Sequence, residues 1–146
     1  MSVRQVAQPP CAVGRLAPQG PWIGFQPDAG GYSLVVGING ALRSSEADVD
    51  LLLSLAIAYF TEALDEAPPE VEATQADLSA LVAELAQRET DPETRRLLRE
   101  ALDAIDDGLA GDAVASRLVA ARPHRADSMD PIELLRMRGM ELAGRS

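Results

Sequence analysis

The stretch from about residue 46 to residue 66 constrains this chain most. Val49, Leu52, Leu53, Leu55, Ala56, Ile57, Tyr59, Phe60, Ala63 and Leu64 recur so densely that a helix carrying them is apolar over most of its circumference. Glu46, Asp50, Ser54, Thr61 and Asp65 leave only a narrow polar stripe, on which a charge at Ser54 should be tolerated. A helix this apolar is either central in its domain or half of a dimer contact. Ser44 or Ser45 is the expected cap, and Glu46, Asp48 and Asp50 suit the positive end of the helix dipole. Pro68-Pro69 stops it beyond about Glu66. Its purest run, Leu51 to Phe60, is interrupted by Ser54 and is too short to span a bilayer.

The rest of the chain must cover that helix. Aromatic residues make up only 3% of the sequence, so the core is built from Leu, Ile, Val and Ala, which favours helix on helix. Residues 1–21 read as an irregular segment, because Pro9, Pro10, Gly14, Pro18, Gly20 and Pro21 interrupt them too often. Trp22–Phe25 and Tyr32–Ile38 are strand candidates, joined by the turn-rich Gln26–Gly31 and ended by Asn39-Gly40. Thr74 caps a second helix to about Arg88, and Thr90-Asp91-Pro92-Glu93 starts a third, so that these two form an antiparallel hairpin. A fourth helix follows from Ala113 to Ala121 with Asp112 as cap, and Asp130-Pro131 starts a fifth that ends near Gly144. The expected fold is therefore mainly α: residues 22–146 form a single domain of four to five helices, with an N-terminal β-hairpin packed on the first long helix. At 146 residues the chain is long enough to bury its own core without a metal or disulfide.

Two resemblances accompany this reading. Leu78 to Gly108, centred on DPETRRLLREALDAIDDG, resembles one HEAT repeat, with a helix, an Asp-Pro turn and an Arg near the start of the second helix. That resemblance implies stacking against further helix pairs. The order hairpin, short loop, apolar helix over residues 22–66 is similar to part of the class I type III secretion chaperones. That likeness implies a small, acidic, dimeric protein that holds a protein partner.

Charge narrows the partners. The formal net charge is −10, and all 13 basic residues are Arg. A nucleic-acid backbone needs a dense basic face, so no nucleic-acid partner is expected. Residues 44–93 hold thirteen acids against Arg88 alone, between two mildly basic ends. Glu62, Asp65, Glu66, Glu70 and Glu72, around the Pro68-Pro69 corner, are the densest run and the candidate partner-binding residues. A basic protein partner follows from their sign.

Chemistry is harder to find. Cys11 and His124 are each the only residue of their kind, too few for a structural zinc site. A dyad would need them adjacent in space with a third group orienting the imidazole, and both read as plain loop residues. Asp103, Asp106 and Asp107, with Asp112 beyond, repeat a helical spacing that could hold Mg²⁺ or Mn²⁺ in a hydrolase. Gly37-Ile38-Asn39-Gly40 lacks the residues of a phosphate-binding loop and reads as a turn. No cofactor is expected. No apolar run of signal-peptide length follows Arg4, so a cytoplasmic location without membrane partners is expected. The first functional reading is an acidic protein–protein interaction module: an adaptor, small chaperone or inhibitor. The alternatives are a metal-dependent hydrolase and a structural homo-oligomer, such as a homodimer through the first long helix.

Overall fold

The computed structural model describes residues 9–28, 31–122 and 129–144. Four strands come first: β1 (Cys11–Arg15), β2 (Trp22–Asp28), β3 (Gly31–Ile38) and β4 (Ala41–Glu46). They form one antiparallel meander in the order β1-β2-β3-β4. Five helices follow: α1 (Val49–Thr61), α2 (Gln75–Arg88), α3 (Pro92–Asp106), α4 (Gly111–Ala121) and α5 (Pro131–Ala143). The fold is α+β, which corrects the expectation of a mainly α domain.

The expected hairpin is present as β2 and β3, paired from Trp22–Gly37 to Asp28–Gly31. The two flanking strands account for the correction. β1 lies inside the segment expected to be irregular, and the main-chain pairing of Cys11 with Phe25 and Arg15 with Trp22 fixes it despite the surrounding prolines. β4 contains Ser44, Ser45 and Glu46, the residues expected to start α1. Asn39 and Gly40 both adopt positive φ, 51° and 80°, which suits a tight hairpin turn and folds β4 back onto β3. α1 is capped instead by Asp48, whose carboxylate accepts from the Leu51 N–H at 2.9 Å. The helix stops at Thr61, with Glu62 in the left-handed conformation at its end.

α1 is the centre of the domain. Every residue from Leu51 to Ala58 is buried by the chain itself, including Ser54, whose hydroxyl donates to the Asp50 carbonyl at 2.8 Å. The expected polar stripe is therefore interior at Ser54, although Glu46, Thr61 and Asp65 toward its ends are exposed, and a charge at Ser54 has no route to water. Ile23, Phe25, Leu34 and Val36 of the sheet face α1, and Leu78, Leu81, Leu98, Leu118 and Leu135 complete the same core from the other four helices. α2 and α3 form the expected antiparallel hairpin: Gln75, which opens α2, donates to the carbonyl of Ile105 near the end of α3. Thr74 and Asp77 make a reciprocal capping box at the start of α2. Among the described residues no helix is long and apolar enough to cross a membrane.

Candidate functional site

After α1 the chain turns back along the free edge of β1. Arg15 and Asp65 exchange main-chain hydrogen bonds of 2.8 and 3.2 Å, and Ala12 donates to Val71 and accepts from Ala73 at 2.7 and 2.8 Å. Residues 65–73 thus form a strap that satisfies the edge strand. Ala67 and Val71 of the strap pack on Ala12, Trp22 and Val35, on the sheet face opposite α1. Two close approaches need glycine. A Cβ on Gly14 would lie 2.5 Å from that of Leu64, and one on Gly111 would lie 2.1 Å from the Phe60 carbonyl oxygen.

These contacts enclose a cleft of about 580 Å³ between the strap, the end of α1 and the start of α4. Its walls are Tyr59 and Phe60, set edge to face with ring centroids 5.0 Å apart, with Val13, Leu64 and Leu109. Val13 is the extra residue of a bulge in β1, between the paired Ala12 and Gly14. Four of the five expected partner-binding acids, Glu62, Asp65, Glu66 and Glu72, line this cleft and are exposed, and none of its lining residues is basic. Sequence spacing could not show this grouping, because the strap's path along β1 creates it. Glu70 stands apart, in a second cleft of about 590 Å³ with Arg15, Trp22 and Pro68.

The local field of the first cleft is negative. The Tyr59 phenol is pushed above its ordinary value by burial, and then by the charges of Glu72, Asp77 and Glu62. Nearby, the half-buried Cys11 thiol is pushed up to about 11 by burial and by the charge and hydrogen bond of Asp77. A thiol with that value holds little thiolate near neutrality, which is the opposite of an activated nucleophile. His124 lies outside the described residues.

The other acids are placed differently. Asp103, Asp106, Asp107 and Asp112 are all exposed. Asp103 and Asp106 border a shallow groove between α2 and α3 together with Arg99. Among the described residues no group of three or more His, Cys, Asp or Glu is arranged to hold a metal ion. Asp50, expected on a solvent-facing stripe, instead makes an ion pair with Arg122, which sequence reasoning missed.

Comparison with protein-family models, with curated proteins and with solved structures found no match to this chain.

Proposed function

We propose that this protein is an acidic protein–protein interaction module, an adaptor, small chaperone or inhibitor, that holds a basic segment of its partner in the cleft beside Tyr59 and Phe60. One observation carries the reading: four exposed carboxylates share a cleft with two aromatic rings and no basic side chain. Carboxylates attract guanidinium and ammonium groups, and aromatic faces take the same cations by their quadrupole. The apolar wall then gives an amphipathic segment a surface to bury. In this reading the protein works in the cytoplasm.

The test is a titration of the full chain with a synthetic peptide of alternating arginine and leucine, followed by backbone amide chemical shifts. The amides of Phe60, Glu62, Gln75 and Gly111 should move most. Shifts centred instead on Asp103 and Asp106 would refute this assignment.

A further inference from the structure

The two edges of the sheet differ. The strap closes β1 with main-chain bonds to Ala12 and Arg15. β4, at the other edge, pairs its main chain with β3 alone among the described residues. Asn39 and Gly40, both at positive φ, make a two-residue turn, so Ile38 and Ala41 form a hydrogen-bonded pair across it. Antiparallel pairs alternate, so Arg43 and Ser45 also turn their main chain to β3, while Leu42, Ser44 and Glu46 turn theirs outward. These three residues are exposed, Leu42 by 56%. Open edges are commonly blunted by proline, a bulge or a covering segment. β4 holds no proline, and its register with β3 runs unbroken from Ala41 to Glu46.

We infer that the β4 edge pairs antiparallel with β4 of a second copy, about a two-fold axis through Ser44. Leu42 of each copy then meets Glu46 of the other and Ser44 meets Ser44, so every outward N–H and C=O of these residues gains a partner. The Glu46 carbonyl already takes the Ser45 hydroxyl at 3.4 Å and keeps a second lone pair for this bond. Side chains fix the register. Sliding the pairing one way sets Arg43 against Arg43, and sliding it the other way puts Leu42 opposite Asp48, past the end of β4. In the central register Arg43, half-buried on the α1 side of the sheet, meets Ser45, and no like charges are opposed. Closure favours a second copy as the occupant. Joining the two four-stranded sheets through β4 leaves β1 at both outer edges, and the strap already covers it, so the assembly stops at a dimer. β4 carries one Arg and one Glu, and the acidic cleft lies along the opposite edge. The two clefts are held apart by the width of the joined sheet, roughly 30 Å. The screening length at about 0.15 M is roughly 8 Å, so the densest acidic surfaces do not oppose association. Both clefts stay open, which makes dimerisation and partner binding separate events.

Sedimentation velocity of the full chain over a range of concentrations, at about 0.15 M salt, should show a monomer–dimer equilibrium with nothing larger. Ser44→Pro removes the N–H at the axis and spares the β3 ladder, because that N–H points away from β3. It should weaken dimerisation at least about tenfold. Leu42→Glu opposes Glu46 of the second copy and should weaken dimerisation at least about threefold, and adding Glu46→Arg should restore it. Circular dichroism verifies that each variant folds, and the Leu42 and Glu46 variants decide the matter if Ser44→Pro does not. Amide hydrogen exchange reads the same edge. Leu42, Ser44 and Glu46 should exchange at least about tenfold more slowly where dimer predominates than in dilute protein. A chain monomeric at every concentration, growth beyond a dimer, a dimer that these variants leave intact, or a dimer with the three amides unprotected overturns the inference.

Discussion

Asp50 near the start of α1 and Arg122 just beyond α4 form a two-pronged ion pair across 72 residues of chain, with Nε–Oδ1 at 2.6 Å and Nη2–Oδ2 at 3.3 Å. The side chains are 20% and 10% exposed, and Nη2 of Arg122 also donates to the Met129 carbonyl ahead of α5. Three helices are thus tied at one point. Removing one partner strands a mostly buried charge, so Arg122→Ala should cost about 2–4 kcal/mol in urea unfolding. Asp50→Ala combined with it should cost less than the two single losses together. A loss below about 0.5 kcal/mol for Arg122→Ala would place this pair with ordinary surface bridges.

Ser54 offers a second check on the interior. Its full burial predicts that Ser54→Asp abolishes the native helical circular dichroism, as Leu53→Asp should. Ser54→Ala should change stability by less than about 0.5 kcal/mol, since only a hydroxyl bonded back to its own helix is lost. A folded Ser54→Asp would mean that this side of α1 reaches water.

The elements legible in the sequence are those with local signals. Thr74 with Asp77, Asp91-Pro92 and Asp130-Pro131 announce α2, α3 and α5 within a residue or so of where they begin. β4 escaped because its Ala-Leu-Arg-Ser-Ser-Glu has little strand character, and its serines imitate a helix cap. Only the Asn39-Gly40 turn argued for it, and reading that turn as a hairpin rather than an ending would have found the strand. β1 escaped because its pairing with β2 overrides prolines and glycines that lie mostly outside it. At the candidate site the acids themselves were legible from charge density. Their grouping was not, because it depends on the strap's non-local bonds to Ala12 and Arg15. Tyr59 and Phe60 belong to the apolar run of α1, whose pattern does not separate a central helix from a contact surface; both are half-buried and form the cleft wall.

Glu62 holds φ 52° and ψ 39°, a left-handed conformation that glycine takes without penalty. A strained residue beside the cleft fits a position kept for its side chain rather than for stability. Glu62→Gly should raise stability by about 0.5–1 kcal/mol while weakening peptide binding. A variant that is destabilised, or that binds the peptide as before, would contradict this assignment.

Asp91, which caps α3, has its carboxyl pKa held below the ordinary 3.8 by the Thr94 N–H and then by the Thr94 hydroxyl. Its ionised form is favoured by folding. The stabilisation is therefore present above the ordinary value and is lost as pH falls through the lower folded value. Glu93, lowered by its hydrogen bond to Arg96, acts with the same sign. Urea midpoints from about pH 2 to about pH 7 should fall less steeply on the acid side for Asp91→Asn than for the original chain. Parallel curves would show that this cap does not contribute to the acid limb.

Association kinetics test most directly whether the cleft beside Tyr59 and Phe60 binds basic segments through its carboxylates. Stopped-flow mixing with the arginine–leucine peptide, at ionic strengths from about 0.01 to about 0.15 M, reads the on-rate as the screening length falls from roughly 30 to roughly 8 Å. Glu66→Gln with Glu72→Gln should lower the low-salt on-rate about threefold to tenfold and flatten its dependence on salt. Glu70→Gln, in the neighbouring cleft with Arg15, should lower the low-salt on-rate less than the double variant, and should leave the on-rate nearly unchanged at about 0.15 M, where the screening length is roughly 8 Å. An unaltered on-rate and salt slope in the double variant, or an equal loss in Glu70→Gln, would contradict such binding.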